Sequence, residues 1–289
     1  MNVYGTEQIR NVVLLGHGGA GKTTVAEALA LVTGVTKRMG KVPDGNTISD
    51  YDKEEVKRQF SISTTLIPLE YQGESGPIKI NLLDTPGFFD FVGEVEEAIS
   101  VADAAIIVVN CKAGIEPGTE KAWEMCEKYK LPRLIFVTNM DDDHASYREL
   151  VVKLETRFGR KIAPFQLPIR ENEKFVGFVN VVKMAGRRFT ELSDYVECEI
   201  PEYVEKNLTI ARDALIEAVA ETNEEYMERY FLGEEFTQEE ISTALREHVI
   251  EGEIVPVMMG SGINCQGFKV LLQSIDKYFP SPDHFECIG

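Results

Sequence analysis

The chain has 289 residues, with 48 acidic against 30 basic side chains and a formal net charge of −18. At about 150 residues per domain this is the length of two units, able to bury a full core without disulfides or structural metal. The negative surface excludes a general nucleic-acid binder. The longest apolar run, Ala104–Val109, falls far short of the ~20 residues of a bilayer span.

Five cysteines, at 111, 126, 198, 265 and 287, are scattered without CxxC spacing. They read as reduced thiols, and with no export signal at the N-terminus the expectation is a cytoplasmic, monomeric protein away from membranes. In chain order, Asn11–Leu15 predicts an apolar strand ending in glycines, and Lys22–Val32 a helix with Val25, Leu29 and Val32 on one face. Residues 33–62 are polar and irregular, too long for a plain connection, which points to a functional or mobile loop. Ser63–Tyr71 and Ile78–Asp84 flank Gly73-Glu74-Ser75-Gly76 as a hairpin. Ala104–Asn110 and Leu134–Thr138 have the continuous apolar texture of buried parallel strands, with a helix at Thr119–Tyr129 between them. Lys174–Val182 predicts a strand, and Pro201 opens a charged helical block that reaches Ile250. Within it, Thr237-Gln238-Glu239-Glu240 is a capping box ahead of the stripe Ile241, Leu245, Val249. Ile254–Met259 returns to strand texture and Phe268–Tyr278 closes as a helix. The expected fold is α/β: a doubly wound, mostly parallel sheet over residues 1–162 and 254–282, an α+β subdomain inserted at 163–253, and a linker starting at 283–289.

Gly16-His17-Gly18-Gly19-Ala20-Gly21-Lys22-Thr23 fits GxxxxGK[ST] between a strand and a helix. Its successive N–H groups wrap phosphates, the helix N-terminus adds positive potential, Lys22 reaches the β/γ-phosphates and Thr23 can ligate Mg²⁺; Thr24 completes the nucleotide-facing run. Asp84-Thr85-Pro86-Gly87 follows the next strand, where Asp84 can hold Mg²⁺ through water and the Gly87 N–H can point at a γ-phosphate. Alone it would be an ordinary turn; paired with the P-loop it reads as a second phosphate element. Thr138-Asn139-Met140-Asp141 stands where guanine-binding P-loop proteins place NKxD, whose Asp accepts both N–H groups of the guanine edge. The match is partial. A shifted register would use Asn139 and Asp142 with Met140 over the base, and a solvated acidic turn of Asp141-Asp142-Asp143 is the plainer alternative. Gly260-Ser261-Gly262 offers backbone N–H groups to guanine O6 or is simply a loop. His144, His248 and His284 show no metal-ligand spacing.

In this order the motifs resemble the GTPase domain of bacterial elongation factor G, a translational GTPase. The likeness runs over essentially the whole chain, through Thr33-Gly34, Gly40, Val42, Asp44-Gly45, Asp50, Asp90-Phe91, Lys128–Pro132, Val179–Met184, Gly233-Glu234-Glu235 and Pro280-Ser281-Pro282. The resemblance implies a Mg-GTP switch at 33–62 and 84–95, further domains beyond this segment, and ribosome engagement with the insertion facing the stalk protein. Departures fall on the chemistry. Arg58-Gln59-Phe60-Ser61-Ile62 replaces the family's R-G-I-T-I, Ser61 keeping the hydroxyl that completes Mg²⁺ ligation. Phe88 stands where the family has its water-positioning histidine, and Gly18 and Gly19 replace an aliphatic and an acidic residue. The catalytic set is therefore Lys22, Gly87 and position 88, with weak hydrolysis expected. His17 matches a family histidine but reads as loop packing. Two alternatives stay open: a GTP-sensing module with little or no hydrolysis, and a P-loop ATPase or small-molecule kinase.

Overall fold

A computed structural model describes residues 3–74 and 76–284. Ser75 in the hairpin turn, Cys287 and the end of the 283–289 linker lie outside the described residues. The first half alternates strands and helices: β1 (Ile9–Leu15), α1 (Lys22–Val32), α2 (Lys53–Arg58), β2 (Thr65–Gly73), β3 (Gly76–Asp84), α3 (Val92–Ser100), β4 (Ala104–Asn110), α4 (Pro117–Tyr129), β5 (Arg133–Thr138) and α5 (Tyr147–Phe158). Then follow β6 (Ile162–Pro164), β7 (Gln166–Glu171), β8 (Lys174–Asn180), β9 (Ala185–Phe189), β10 (Tyr195–Cys198), α6 (Glu202–Ala220), α7 (Glu224–Leu232) and α8 (Gln238–Glu251), before β11 (Val255–Met259) and α9 (Phe268–Tyr278).

The main sheet has the order β2-β3-β1-β4-β5-β11-β6. β2 runs antiparallel to β3, from Thr65 opposite Asp84 to Gly73 opposite Gly76, and the other pairings are parallel. Alternate residues of each strand enter opposite layers. Val12, Leu14, Ile106, Val108, Leu134 and Phe136 pack under α1 and α9. Val13, Leu15, Ile107, Val109, Ile135 and Val137 pack with Ala98 of α3, Trp123 of α4 and Leu154 of α5. This is the doubly wound, mostly parallel sheet expected from the sequence. Among the described residues no helix is long and apolar enough to cross a membrane.

Between β6 and β11 the chain builds an antiparallel sheet, β10-β9-β8-β7, with α6, α7 and α8. Its core is continuous with the main body. Phe165 and Ile254 share a cluster with Leu208 and Leu215 of α6, Leu245 of α8 and Tyr278 of α9. Tyr195 Oη donates to Gln273 at 3.0 Å and Lys277 Nζ to Ser242 at 2.7 Å.

Several local expectations are corrected. Residues 33–62 are not irregular throughout: they contain a 3₁₀ turn at Val42–Asp44 and α2. Two buried glutamates pin them. Glu27 accepts the N–H groups of Gly40 (2.7 Å) and Ile48 (2.5 Å), and Glu55 those of Ile62 (2.9 Å) and Ser63 (3.1 Å). The strand predicted at 174–182 stops at Asn180, whose side chain accepts from Lys183 N–H at 2.8 Å and turns the chain. The block 201–250 is three helices, broken where Asn223 and Thr237 cap α7 and α8. The helices α3 and α5 were not predicted, although Tyr147, Leu150, Val151 and Leu154 carry a helical stripe.

Candidate nucleotide-binding site

The loop from Gly16 to Gly21 joins the carboxyl end of β1 to α1. Gly16 has φ +143°, and a Cβ there would stand 2.5 Å from the Val108 carbonyl oxygen, so the tight departure from β1 admits only glycine. Gly21 precedes α1 without a side-chain cap, leaving first-turn N–H groups of the helix for an outside acceptor. Lys22 folds back, its Nζ donating to the carbonyls of Gly16 and His17 at 3.1 Å each. Burial pulls this ammonium down to about 8 despite the nearby carboxylates of Asp84 and Asp50. Gly18 and Gly19 lie along the loop and Ala20 is buried at its base. The His17 side chain turns to α4, where its Nδ1 accepts from the Gly118 N–H at 3.2 Å and its Nε2 stands 3.6 Å from Glu116.

Beneath the loop the structure gathers a set of oxygens. Thr23 Oγ1 donates to Asp84 Oδ2 at 2.9 Å and lies 3.3 Å from Ser61 Oγ; Ser61 Oγ donates to Asp50 Oδ1 at 2.7 Å. Asp50 Oδ2 is buried without a hydrogen-bond partner among the described residues, while the Ser49 hydroxyl faces the Asp84 carboxylate. Burial pushes the Asp84 carboxyl up to about 6 and raises that of Asp50. In the sequence Asp50 is only a point of resemblance, and its place beside Thr23 could not be read from local pattern. Thr85 Oγ1 donates to the Leu14 carbonyl at 2.5 Å and fixes the turn after β3 onto β1.

Gly87 lies against the P-loop: a Cβ on it would be 2.4 Å from Lys22 Nζ and 2.7 Å from Gly18 N. Next to it the Phe88 ring is 43% exposed, with its centroid 4.7 Å from that of Phe60.

The ends of β5 and β11 complete the edge. Thr138 Oγ1 donates to the Ala20 carbonyl at 2.7 Å, tying β5 to the P-loop. Asn139 is exposed in a left-handed conformation at φ 59°, which asparagine tolerates. Met140 is fully buried, and Asp142 accepts from Lys112 at 3.1 Å and from the His144 N–H at 2.8 Å. Asp141 instead accepts from Ser261 Oγ at 2.5 Å. Ser261 is fully buried, and Gly262 approaches α1 closely enough that a Cβ would meet Thr24 Cγ2 at 2.3 Å. Elsewhere, His248 comes together with Glu251 and Glu253, which spacing did not foretell. Both ring nitrogens are already engaged, by Thr222 at 3.1 Å and Glu253 at 2.8 Å.

A glycine-rich loop, an aspartate and a serine-paired aspartate, converging on the carboxyl edge of a mostly parallel sheet, define the P-loop GTPase class of fold. The sequence profile described as "Elongation factor Tu GTP binding domain" matches residues 7–281, and the chain belongs to that family. It is a GTP-binding domain of translational-GTPase type, in a family of GTPases. A crystal structure of a protein from Thermus thermophilus is similar at 37% identity and a TM-score of 0.89, over 97% of this chain and 41% of that one. The chain thus spans less than half the length of that relative.

Proposed function

We propose that this chain is the GTP-binding domain of an elongation factor G-like factor, switching with Mg-GTP to govern ribosome engagement and translocation, with slow hydrolysis of its own. The observation that carries the guanine reading is the Asp141–Ser261 pair. Met140 lies in the core, Asp142 is engaged by Lys112, and Asp141, paired with Ser261 beside the 260–262 backbone, is the carboxylate we assign to the two N–H groups of a guanine edge. Gly16 to Thr24 hold the phosphates in this reading. The oxygen set of Thr23, Ser61 and Asp84 suits a hard divalent cation such as Mg²⁺, and the partnerless carboxylate oxygen of Asp50 supplies a further acceptor. Bound there, the ion neutralises phosphate charge.

Lys22 and the P-loop amides perform the other half of charge neutralisation. Position 88 offers no group to orient water, since Phe88 neither donates nor accepts a hydrogen bond. Ribosome binding, and the stalk protein as partner of the insertion, are proposed from the family resemblance. A groove of about 900 Å³ between α5 and α6, with Val152, Tyr203 and Ile210 exposed along it, supports a docking role there. Titration with GTP, GDP and ATP, with product analysis on the chain alone and with ribosomes, tests the reading. Guanine preference with slow turnover is the expected result; equal ATP and GTP binding would overturn it.

A further inference from the structure

We infer that Phe88 and Phe60 form an aromatic latch that sets the preference of this site for nucleoside diphosphate over triphosphate. The inference rests on the nucleotide reading above. Three residues that depart from the resembled family meet at one point. The Phe88 ring lies over the P-loop at Gly18, where even a Cβ would come within 3.0–3.2 Å of three ring carbons. A larger side chain at position 18 would occupy the volume of the ring. The other side of Phe88 meets Phe60 from the 33–62 loop at 4.7 Å between centroids, tilted at 55°, and Phe60 also meets Phe91 at 6.3 Å. The two segments that flank the phosphate site are therefore clasped to each other and to the P-loop by apolar contact. A second tie lies beyond the rings, where Glu94 Oε2 accepts from Thr64 N–H at 2.8 Å.

The clasp closes the place a terminal phosphoryl group needs. Gly87 abuts both Lys22 Nζ and the Gly18 amide, the two groups that would flank that phosphoryl, and Lys22 Nζ gives two of its three N–H donors to the carbonyls of its own loop. A triphosphate has to push residues 86–88 off the P-loop, which strips Phe88 from Gly18 and from Phe60; a diphosphate does not. A ligand shifts such an equilibrium only by its differential affinity for the two arrangements, so the ring contacts enter the triphosphate constant alone. An aromatic pair of this kind corresponds to roughly 2- to 10-fold in a binding constant.

The test measures dissociation constants of the chain for Mg-GDP and for a non-hydrolysable Mg-GTP analogue. The variants are Phe60→Ala, Phe88→Ala and the double variant, each checked for folding by circular dichroism. The expected result is that Phe60→Ala tightens the analogue about fivefold, that Phe88→Ala tightens it at least as much because it also removes the ring from Gly18, that GDP is unchanged in both, and that the double variant does no more than Phe88→Ala, because the Phe60 contact is already lost there. A ratio that does not move while GDP still binds would overturn the latch and leave the nucleotide reading standing. So would parallel changes in both constants. Failure of the wild type to bind either nucleotide would overturn both.

Discussion

Asp141 accepts a hydrogen bond from a buried serine and keeps the rest of its acceptor capacity, so its value in the proposed site lies in matching two donors at once. Asp141→Asn replaces one acceptor by a donor and should shift preference from guanine to xanthine nucleotides. The guanine constant should weaken by about 1–3 kcal/mol, roughly 5- to 150-fold, in competition titrations with both bases. Phe88 frames a different expectation. A missing proton-handling group costs on the order of 10²–10⁴ in rate. Phe88→His should restore part of that in single-turnover assays, and only part, because Gly18 and Gly19 offer no side chain beside it and the new ring still meets Phe60. A Phe88→His rate equal to wild type would show that water is positioned by another group.

At the scale of elements, helix ends explain part of the acidic charge in the insertion. Glu224 and Glu225 lie in the first turn of α7, and Glu239 and Glu240 in that of α8, where negative charge opposes the helix dipole. Glu240 does more than this. It receives the Thr237 N–H at 2.7 Å while Thr237 Oγ1 accepts the Glu240 N–H at 3.2 Å, and Arg229 of α7 donates to it at 2.7 Å. Arg229, with the Thr237 N–H, holds the carboxyl down to about 2. A depressed carboxylate stabilises the fold at neutral pH, and that contribution is lost as the pH falls from about 4.5 towards 2. Arg229→Ala should move the Glu240 midpoint, followed by NMR titration, back towards the ordinary glutamate value. An unmoved midpoint would put the shift on the cap alone. Thus part of the charge of the 201–250 block is helix capping, and Glu221, Glu234 and Glu235 remain as exposed charge.

For the whole molecule, the consequence of a shared core is cooperativity. Phe165 packs edge-on against Tyr278 of α9 at 5.3 Å between centroids, and Gln166 Oε1 accepts the Met259 N–H of β11 at 3.0 Å, so the inserted segment and the main sheet bury one another. Phe165→Ala should cost about 3–5 kcal/mol and lower a single unfolding transition seen equally by near- and far-ultraviolet dichroism. Two separated transitions would show that the insertion folds on its own. The same packing makes excision of 163–253 a poor probe of partner binding, since it would bare α9; substitutions along the exposed α5–α6 groove are the cleaner one.

The amino-acid sequence by itself determined the elements whose cause is local. The spacing of apolar residues places α1, β4 and α9 at the observed bounds, the capping box starts α8, and the GxxxxGK[ST] run, with its glycines between strand and helix, announces the P-loop. The partial NKxD favours the Asp141 register over the shifted one; what the sequence does not give is the surroundings of the two carboxylates, with Met140 buried just before them and Asp142 paired to Lys112. Only the tertiary structure brings Asp50 and Ser61 to Thr23 and Asp84, orders the 33–62 loop on Glu27 and Glu55, and lays Phe60 on Phe88. Those contacts join residues tens of positions apart, and their free energy comes from desolvation and mutual satisfaction that exist once the sheet has placed its strand ends side by side.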